Sequence, residues 1–181
     1  MNKEPEGFFY KPDFLSDTEQ DDLLSELRAL TYTHDTFRGK LMKRRWAQFG
    51  FEYKSIGQKL IPAPPIPPFL REIIEKASPY YPAGCEFDQL IVTHYPPGAG
   101  IGFHTDADKF GDVILGVSVA SPARLRFSPG KSKVVSFELT VTPGSLYVMQ
   151  GKARWEYQHH IPPVKAERYS LTFRSVSEGK K

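Results

Sequence analysis

From Phe87 to Val176 the chain carries seven short runs rich in β-branched and aromatic residues, punctuated by glycine and proline. They are Phe87–Tyr95, Asp112–Val119, Arg124–Phe127, Val134–Leu139, Ser145–Met149, Arg154–His159 and Tyr169–Val176. Runs of this length and composition read as strands. Seven of them at this spacing predict a sandwich or a jelly-roll barrel. The stretch before them reads differently. Ser16-Asp17-Thr18-Glu19 has the capping-box pattern, with Glu three residues after Ser. Leu23, Leu24, Leu27 and Leu30 follow at helical spacing, which predicts a helix from about Asp17 to Leu30. Residues 62–68 hold five prolines and are expected to be an extended connector rather than an SH3-type ligand. A second helix is expected to start at Pro68 or Phe69 and to bury Leu70, Ile73 and Ile74. Helices lead and strands follow, so the class is α+β, with helices packed outside a β-core.

A chain of 181 residues is long enough to bury one real core, and one domain over residues 1–181 is expected. Residues 1–85 form its leading part and 86–176 its β-core. A 40% hydrophobic fraction and 13% aromatics exclude a disordered chain. Cys85 is the one cysteine, so there is no internal disulfide and no cysteine-only metal site. That fits a reducing cytoplasm, or a nucleus if the source is eukaryotic. The residues Met1 to Gly7 are polar and lack the apolar centre of a signal peptide. No apolar run nears the roughly 18 residues needed to span a bilayer, so no membrane partner is expected. A net charge of +3 tolerates a nucleic-acid partner without demanding one. A monomer is expected.

The chemistry concentrates in His104-Thr105-Asp106 and in His159-His160. Residues i and i+2 of a strand point to the same side, so one short segment can present two ligands to one ion. A third ligand then comes from another strand. Two histidines and a carboxylate can take one face of a ferrous ion and leave the opposite positions open. Gly98, Gly100 and Gly102 suit a tight loop feeding that strand. In the last strand, Arg168, Ser170, Thr172 and Arg174 share one face, and Tyr169, Leu171 and Phe173 share the other. A buried arginine needs a partner, and a bound carboxylate supplies one. Together these residues read as a non-haem Fe(II) oxygenase that consumes 2-oxoglutarate and dioxygen. The alternative for the last strand is an exposed face of an open sandwich.

Tyr95-Pro96-Pro97-Gly98-Ala99-Gly100-Ile101-Gly102-Phe103-His104-Thr105-Asp106-Ala107-Asp108 resembles the active-site strand of the AlkB family. Arg168 to Arg174, R-Y-S-L-T-F-R, is similar to that family's R-Y-N-L-T-F-R signature. The resemblance covers about residues 44–176. It implies a double-stranded β-helix, Fe(II) with 2-oxoglutarate, and oxidative removal of alkyl groups, usually from nucleic-acid bases. It makes His104 and Asp106 metal ligands and Tyr95, Arg168 and Arg174 contacts to 2-oxoglutarate, with Ser170 counted beside them. Arg168 would take the remote carboxylate, and Arg174 would lie nearer the metal. The family reads H-G-I where this chain has His159-His160-Ile161. Aligning Ile161 makes His159 the ligand, and parity agrees, since His159 shares a face with Tyr157. His160 then replaces a glycine and is expected at the mouth of the site. Thr93-His94-Tyr95 departs from the family's N-x-Y, so one contact to 2-oxoglutarate is shortened or lost.

On the substrate side, Asp108 extends the motif to H-x-D-x-D. The resemblance gives it a part in holding the target base; the plainer reading is a solvated loop carboxylate beside Lys109. In Lys43 to Tyr53, cations interleave with aromatics, which suits phosphate contact and base stacking. Arg44, Arg45, Trp46, Phe49 and Tyr53 are the candidates, in the part of the family that forms a lid. A plain hairpin with a charged face, and aromatics belonging to the core, is the alternative. Lys131, Lys133, Lys152 and Arg154 could extend a basic footprint. The R-R-x-x-x-F-G-F-E-Y lid looks most like the branch with the tRNA wobble-uridine hydroxylase and its compact bacterial relatives. The expected activity is oxidative demethylation of alkylated DNA or RNA bases. The alternatives are tRNA base hydroxylation, the same chemistry on a protein side chain or small molecule, and a non-catalytic binding module on the same barrel.

Overall fold

The computed structural model describes residues 3–176 apart from 35, 38, 55, 56 and 58. In chain order the elements are β1 (Phe8–Lys11), α1 (Asp17–Ala29), β2 (Thr36–Phe37), β3 (Lys40–Leu41), β4 (Arg45–Phe49), β5 (Phe51–Lys54), β6 (Lys59–Pro62) and α2 (Pro68–Ala77). Then follow β7 (Gln89–Tyr95), β8 (Ile101–His104), β9 (Phe110–Val119), β10 (Ala123–Pro129), β11 (Phe137–Val141), β12 (Ser145–Met149), α3 (Gly151–Trp155), β13 (Tyr157–Ile161) and β14 (Arg168–Val176). Helix α1 starts at the expected box: the Ser16 hydroxyl accepts from Glu19 N, and Glu19 accepts from Ser16 N at 2.7 Å. Such a cap is worth about 1 kcal/mol. Helix α2 opens on Pro68, whose missing N–H costs nothing in a first turn, and it buries Leu70, Ile73 and Ala77.

A six-stranded sheet runs β1-β12-β9-β14-β7-β4, and a four-stranded sheet runs β11-β10-β13-β8. From β7 to β14, successive strands join the large, small, large, small, small, large, small and large sheet. That palindrome is the winding of a jelly roll. The strands β1 and β4, both from the leading part of the chain, add an edge strand on each side of the large sheet. A separate hairpin pairs β5 with β6.

Parity divides the core into two. On β14, Tyr169, Leu171 and Phe173 face α1 and α2, in one cluster with Leu27, Leu70, Leu90, Val92, Leu115 and Val117. The opposite face of the same sheet turns into the barrel, where Phe110, Ile114, Tyr147 and Met149 meet Leu125, Phe127 and Ile161 of the small sheet. From Val113 to Val119 strand β9 is therefore buried on both faces, and this stretch is mostly apolar rather than alternating. Arg168 and Ser170 are buried inside the barrel. The alternative of an exposed strand face is excluded.

Two expected strands begin about three residues later than their runs suggest. Residues 151–155 are helical, so the strand that carries His159 starts at Tyr157 rather than Arg154. Val134 and Val135 are exposed, and their strand starts at Phe137. Among the described residues, no helix is long and apolar enough to cross a membrane.

Candidate active site

The residues His104 and His159 face each other across the β8–β13 ladder, with ring centroids 4.3 Å apart. Between the pairs His159↔His104 and Ile161↔Ile101, β8 takes three steps where β13 takes two. This bulge lets both Ile101 and His104 point into the barrel. The chain turns into β8 at Gly98, whose φ of +80° suits a residue without a side chain. The His104 Nδ1–H donates to Gly102 O at 2.9 Å, which fixes the tautomer and leaves Nε2 with a lone pair. Burial pushes the His104 imidazole down, and it pushes His159 down to about 3, so both rings are neutral at physiological pH. The 3.8 Å approach of His159 Nε2 to Asp106 Oδ2 is thus proximity, not an ion pair.

Burial by itself raises the Asp106 carboxyl. Arg174, then His159, His104 and Arg154, outweigh it, and the group stays well below the usual carboxylate range. Arg174 Nη2 meets Asp106 Oδ1 at 2.5 Å, and its guanidinium lies over the Phe110 ring. A charge-assisted pair this buried holds the carboxylate in place. Among the described residues no group of three or more His, Cys, Asp or Glu side chains stands together as a metal site. With the His104 and His159 ring centroids 4.3 Å apart and Asp106 Oδ2 3.8 Å from His159 Nε2, these three residues nevertheless bring together two neutral imidazoles and an anion, the donor types that suit a ferrous ion.

Arg168 is 1% exposed. Its Nε donates to Ser118 Oγ at 3.1 Å, and its guanidinium lies over the Tyr95 ring, its partner in register. Arg168 Nη1, and also Arg174 Nε, are buried without a hydrogen-bond partner. Tyr147 faces the same space. Burial pushes its phenol up, with Arg168 and Ser170 pulling the other way. Its ring fits only because residue 116 is glycine: a Cβ there would lie 2.1 Å from Tyr147 Cζ. An orphaned guanidinium ringed by two tyrosines and two serines fits the remote carboxylate of a dicarboxylate.

The lid residues separate by parity. Trp46 lies on the barrel side of β4, with Arg44 over its ring, and Arg44 lowers His104 electrostatically. Arg45 and Phe49 lie on the helix side. Arg45 Nε donates to His94 Nδ1 at 2.8 Å and stacks on Tyr32, and Phe49 packs against the outer core. These two were expected at the substrate and do not reach it, because neighbours in a strand face opposite ways. His94 in turn bonds Glu167, which pairs with Arg28. His160 is also placed away from the mouth. It faces the outside of the small sheet, opposite Arg126, with Phe103 4.1 Å from its ring.

Tyr53 is placed differently. With Thr105, Asp106, Ala107, Asp108, Arg154 and Trp155 it lines a cavity of about 330 Å³. Its backbone N–H donates to Gln48 Oε1, which also accepts from Gln89 Nε2, while Gln89 Oε1 accepts from Arg174. The lid strand is thus wired to Asp106 through three side chains. Arg154, expected in a basic surface, is 2% exposed and donates to the carbonyls of Asp106, Ala107, Phe110 and Gly111. Lys152 pairs with Glu6. Sequence reasoning passed over Gln48, Gln89, Ser118, Tyr147 and Trp155. Only their facing partners mark them out, and pairing is not written in the sequence.

The profile of the 2OG-Fe(II) oxygenase superfamily matches residues 7–174. An uncharacterized protein, L905, of Acanthamoeba polyphaga mimivirus is 28% identical over 187 residues, covering 96% of this chain and 87% of that protein. An "alkylated DNA repair protein ALKBH8 homolog" of Arabidopsis thaliana is 27% identical over 195 residues, covering 90% of this chain. This chain spans about half the length of that relative, 52%. The structure titled OsALKBH1 superposes with a TM-score of 0.76 at 17% identity, covering 97% of this chain and 99% of that one.

Proposed function

The chain belongs to the 2OG-Fe(II) oxygenase superfamily and is AlkB-like, and on that premise we propose that it oxidises alkyl groups on the bases of single-stranded nucleic acid. It is a dioxygenase that uses Fe(II), 2-oxoglutarate and dioxygen. In our reading His104, Asp106 and His159 hold the metal. Arg168 takes the remote carboxylate of 2-oxoglutarate, with Tyr95, Tyr147, Ser118 and Ser170 around it. The bound iron and cosubstrate supply the activation of dioxygen and the transfer of one oxygen atom to a C–H bond.

The protein's own residues do the rest. Arg174 holds the Asp106 carboxylate in its ionised form. Gly102 keeps the His104 lone pair aimed inward. The closed walls of the barrel exclude water from the cosubstrate end, where Arg168 and Tyr95 are nearly inaccessible. On an N-methyl group, oxidation gives an N-hydroxymethyl group that departs as formaldehyde.

One observation supports a base as the substrate: the cavity beside Asp106 combines an aromatic ring from the lid, Tyr53, with a second carboxylate, Asp108. A ring to stack on and an acceptor for an exocyclic or charged nitrogen suit an alkylated heterocycle. The Arabidopsis relative carries a name for alkylated-DNA repair, which agrees. The test is an assay of succinate and formaldehyde across N-methylated single-stranded DNA, RNA, tRNA and methylated peptides. Coupled turnover on a nucleic acid is the expected result. Coupling on peptides alone would replace the base with a protein side chain.

A further inference from the structure

The cavity beside Asp106 has a second aromatic wall that the family resemblance does not supply. Trp155, at the end of α3, is 45% exposed, the highest value among the described Phe, Tyr and Trp side chains. An indole this open is normally mobile. This one is held on two sides. The Arg154 guanidinium lies 3.9 Å from its ring centroid, and its Nε1–H donates to Asp112 Oδ1 at 3.2 Å. Arg154 is itself fixed by four carbonyls, one of them that of Asp106. The opposite wall, Tyr53, is tied to the same carboxylate through Gln48, Gln89 and Arg174. Both aromatic walls are therefore positioned from the residue at the cavity's floor.

We propose that Trp155 is a substrate-contacting residue, the second stacking wall, with Tyr53, of a slot for a base of single-stranded nucleic acid. This rests on the nucleic-acid reading above. Three features support it. The residue lines a cavity that also holds Asp106 and Asp108, and it borders a second cavity on the Asp112 side. It is pre-ordered by Arg154 and Asp112, so little entropy is lost when a base stacks on it. Beyond the carboxylates of the cavity and Asp112 at the indole, neighbouring loops carry exposed lysines that can meet a phosphodiester chain. The hairpin after β10 is bonded to the end of α3, Gly130 N to Glu156 O at 2.8 Å, and presents Lys131 and Lys133 to solvent, while Lys109 is exposed on the loop beside Asp108. Aromatic faces flanked by lysines are the means by which single strands are held without base-edge readout. Arg154 is a positioning residue in this scheme: it touches the loop and the indole, not the base.

The chain has two tryptophans, Trp46 and Trp155, which makes a direct test possible. In a Trp46→Phe background, with Mn(II) and 2-oxoglutarate bound and no oxygen, Trp155 is the sole indole reporter. Short single-stranded DNA and RNA oligonucleotides carrying one N-methylated adenine, and a modified tRNA, are titrated in. A dye on the nucleic acid reports binding independently by anisotropy. The expected result is saturable quenching of Trp155 emission with the same midpoint as the anisotropy rise. Trp155→Leu should weaken binding by about 5- to 150-fold, the equivalent of the ~1–3 kcal/mol of one stacked base, and Trp155→Phe should recover most of it. An anisotropy rise with unchanged indole emission, or with Trp155→Leu binding as tightly, would overturn the inference and leave the nucleic-acid reading standing. Binding of none of the nucleic acids by the wild-type protein, read by anisotropy, would remove both. The emission arm needs no variant at position 155, so it decides the matter even if Trp155→Leu folds poorly.

Discussion

Arg168→Met separates a cofactor-binding arginine from a structural one. Arg168 is the largest fully buried side chain, and no carboxylate pairs with it among the described residues. Its Nη1 lacks a hydrogen-bond partner. A buried cation in that state gives the cofactor-free protein little, so a methionine of similar length should leave the cofactor-free melting temperature nearly unchanged. The loss of one neutral hydrogen bond at Ser118, about 1 kcal/mol, offsets the relief of the orphaned charge. The 2-oxoglutarate complex should behave differently. Losing a charge-assisted pair costs about 1.5–3 kcal/mol, or roughly 10- to 150-fold in affinity. With Mn(II) present and 2-oxoglutarate at about 100 times its wild-type Kd, ligand linkage stabilises the wild type by about 2.7 kcal/mol. At the same concentration the variant should keep only about 0.3–1.4 kcal/mol. For a chain of this size that turns a rise of about 5–11 °C into one of about 1–6 °C. Differential scanning calorimetry with and without 2-oxoglutarate reads both quantities. A variant that melts many degrees lower alone, yet keeps the full ligand shift, would show that Arg168 braces the barrel and does not bind the cosubstrate.

The register of the third ligand is tested at two neighbouring positions. His159→Ala should abolish stoichiometric Fe(II) binding under anaerobic calorimetry, whereas His160→Ala, on the outer face against Phe103, should retain it; the reverse result would mean that β13 is one residue out of register. The start of α1 supplies a pH dependence. Hydrogen bonds from Lys76, then from the Ser16 backbone and hydroxyl, hold Glu19 at about 2, below its ordinary 4.5. A depressed carboxylate stabilises the fold above its unfolded value and loses that contribution as pH falls through its folded value. The melting-temperature gap between wild type and Glu19→Gln should therefore be full at neutral pH and close between about pH 4.5 and 2. A gap independent of pH would show that the Glu19 charge contributes nothing.

What could be read in the sequence, and what could not, follows from which interactions are local. The capping box of α1, the proline start of α2 and the alternation of β14 are short-range patterns, and each stands where the spacing put it. Strand length and turn residues left a sandwich and a jelly roll open, and the resemblance to the AlkB family chose the double-stranded winding that the strands show. The lid stretch failed for want of a rule already in hand. Arg44, Arg45, Trp46, Phe49 and Tyr53 were grouped by chemistry, yet period two sends Trp46 to the barrel side and Arg45 and Phe49 to the helices. Applied there as it was to His159, parity would have divided them. Arg154 is a different kind of miss. In sequence it looks like one more surface cation at the start of an expected strand, Arg154–His159, whereas it stands in the last turn of a helix. Its partners are carbonyls more than forty residues away, on the loop carrying Asp106. A backbone acceptor has no side-chain signature, so no residue pattern could announce it. The same holds for the glutamine pair that links Tyr53 to Arg174. The proposed ligand set is written in residue types because iron selects donors by element and charge. The scaffold that aims those donors is written largely in main-chain hydrogen bonds. That division explains why the chemistry was legible from a few motifs while the residues that hold it in place became visible only once the strands were paired.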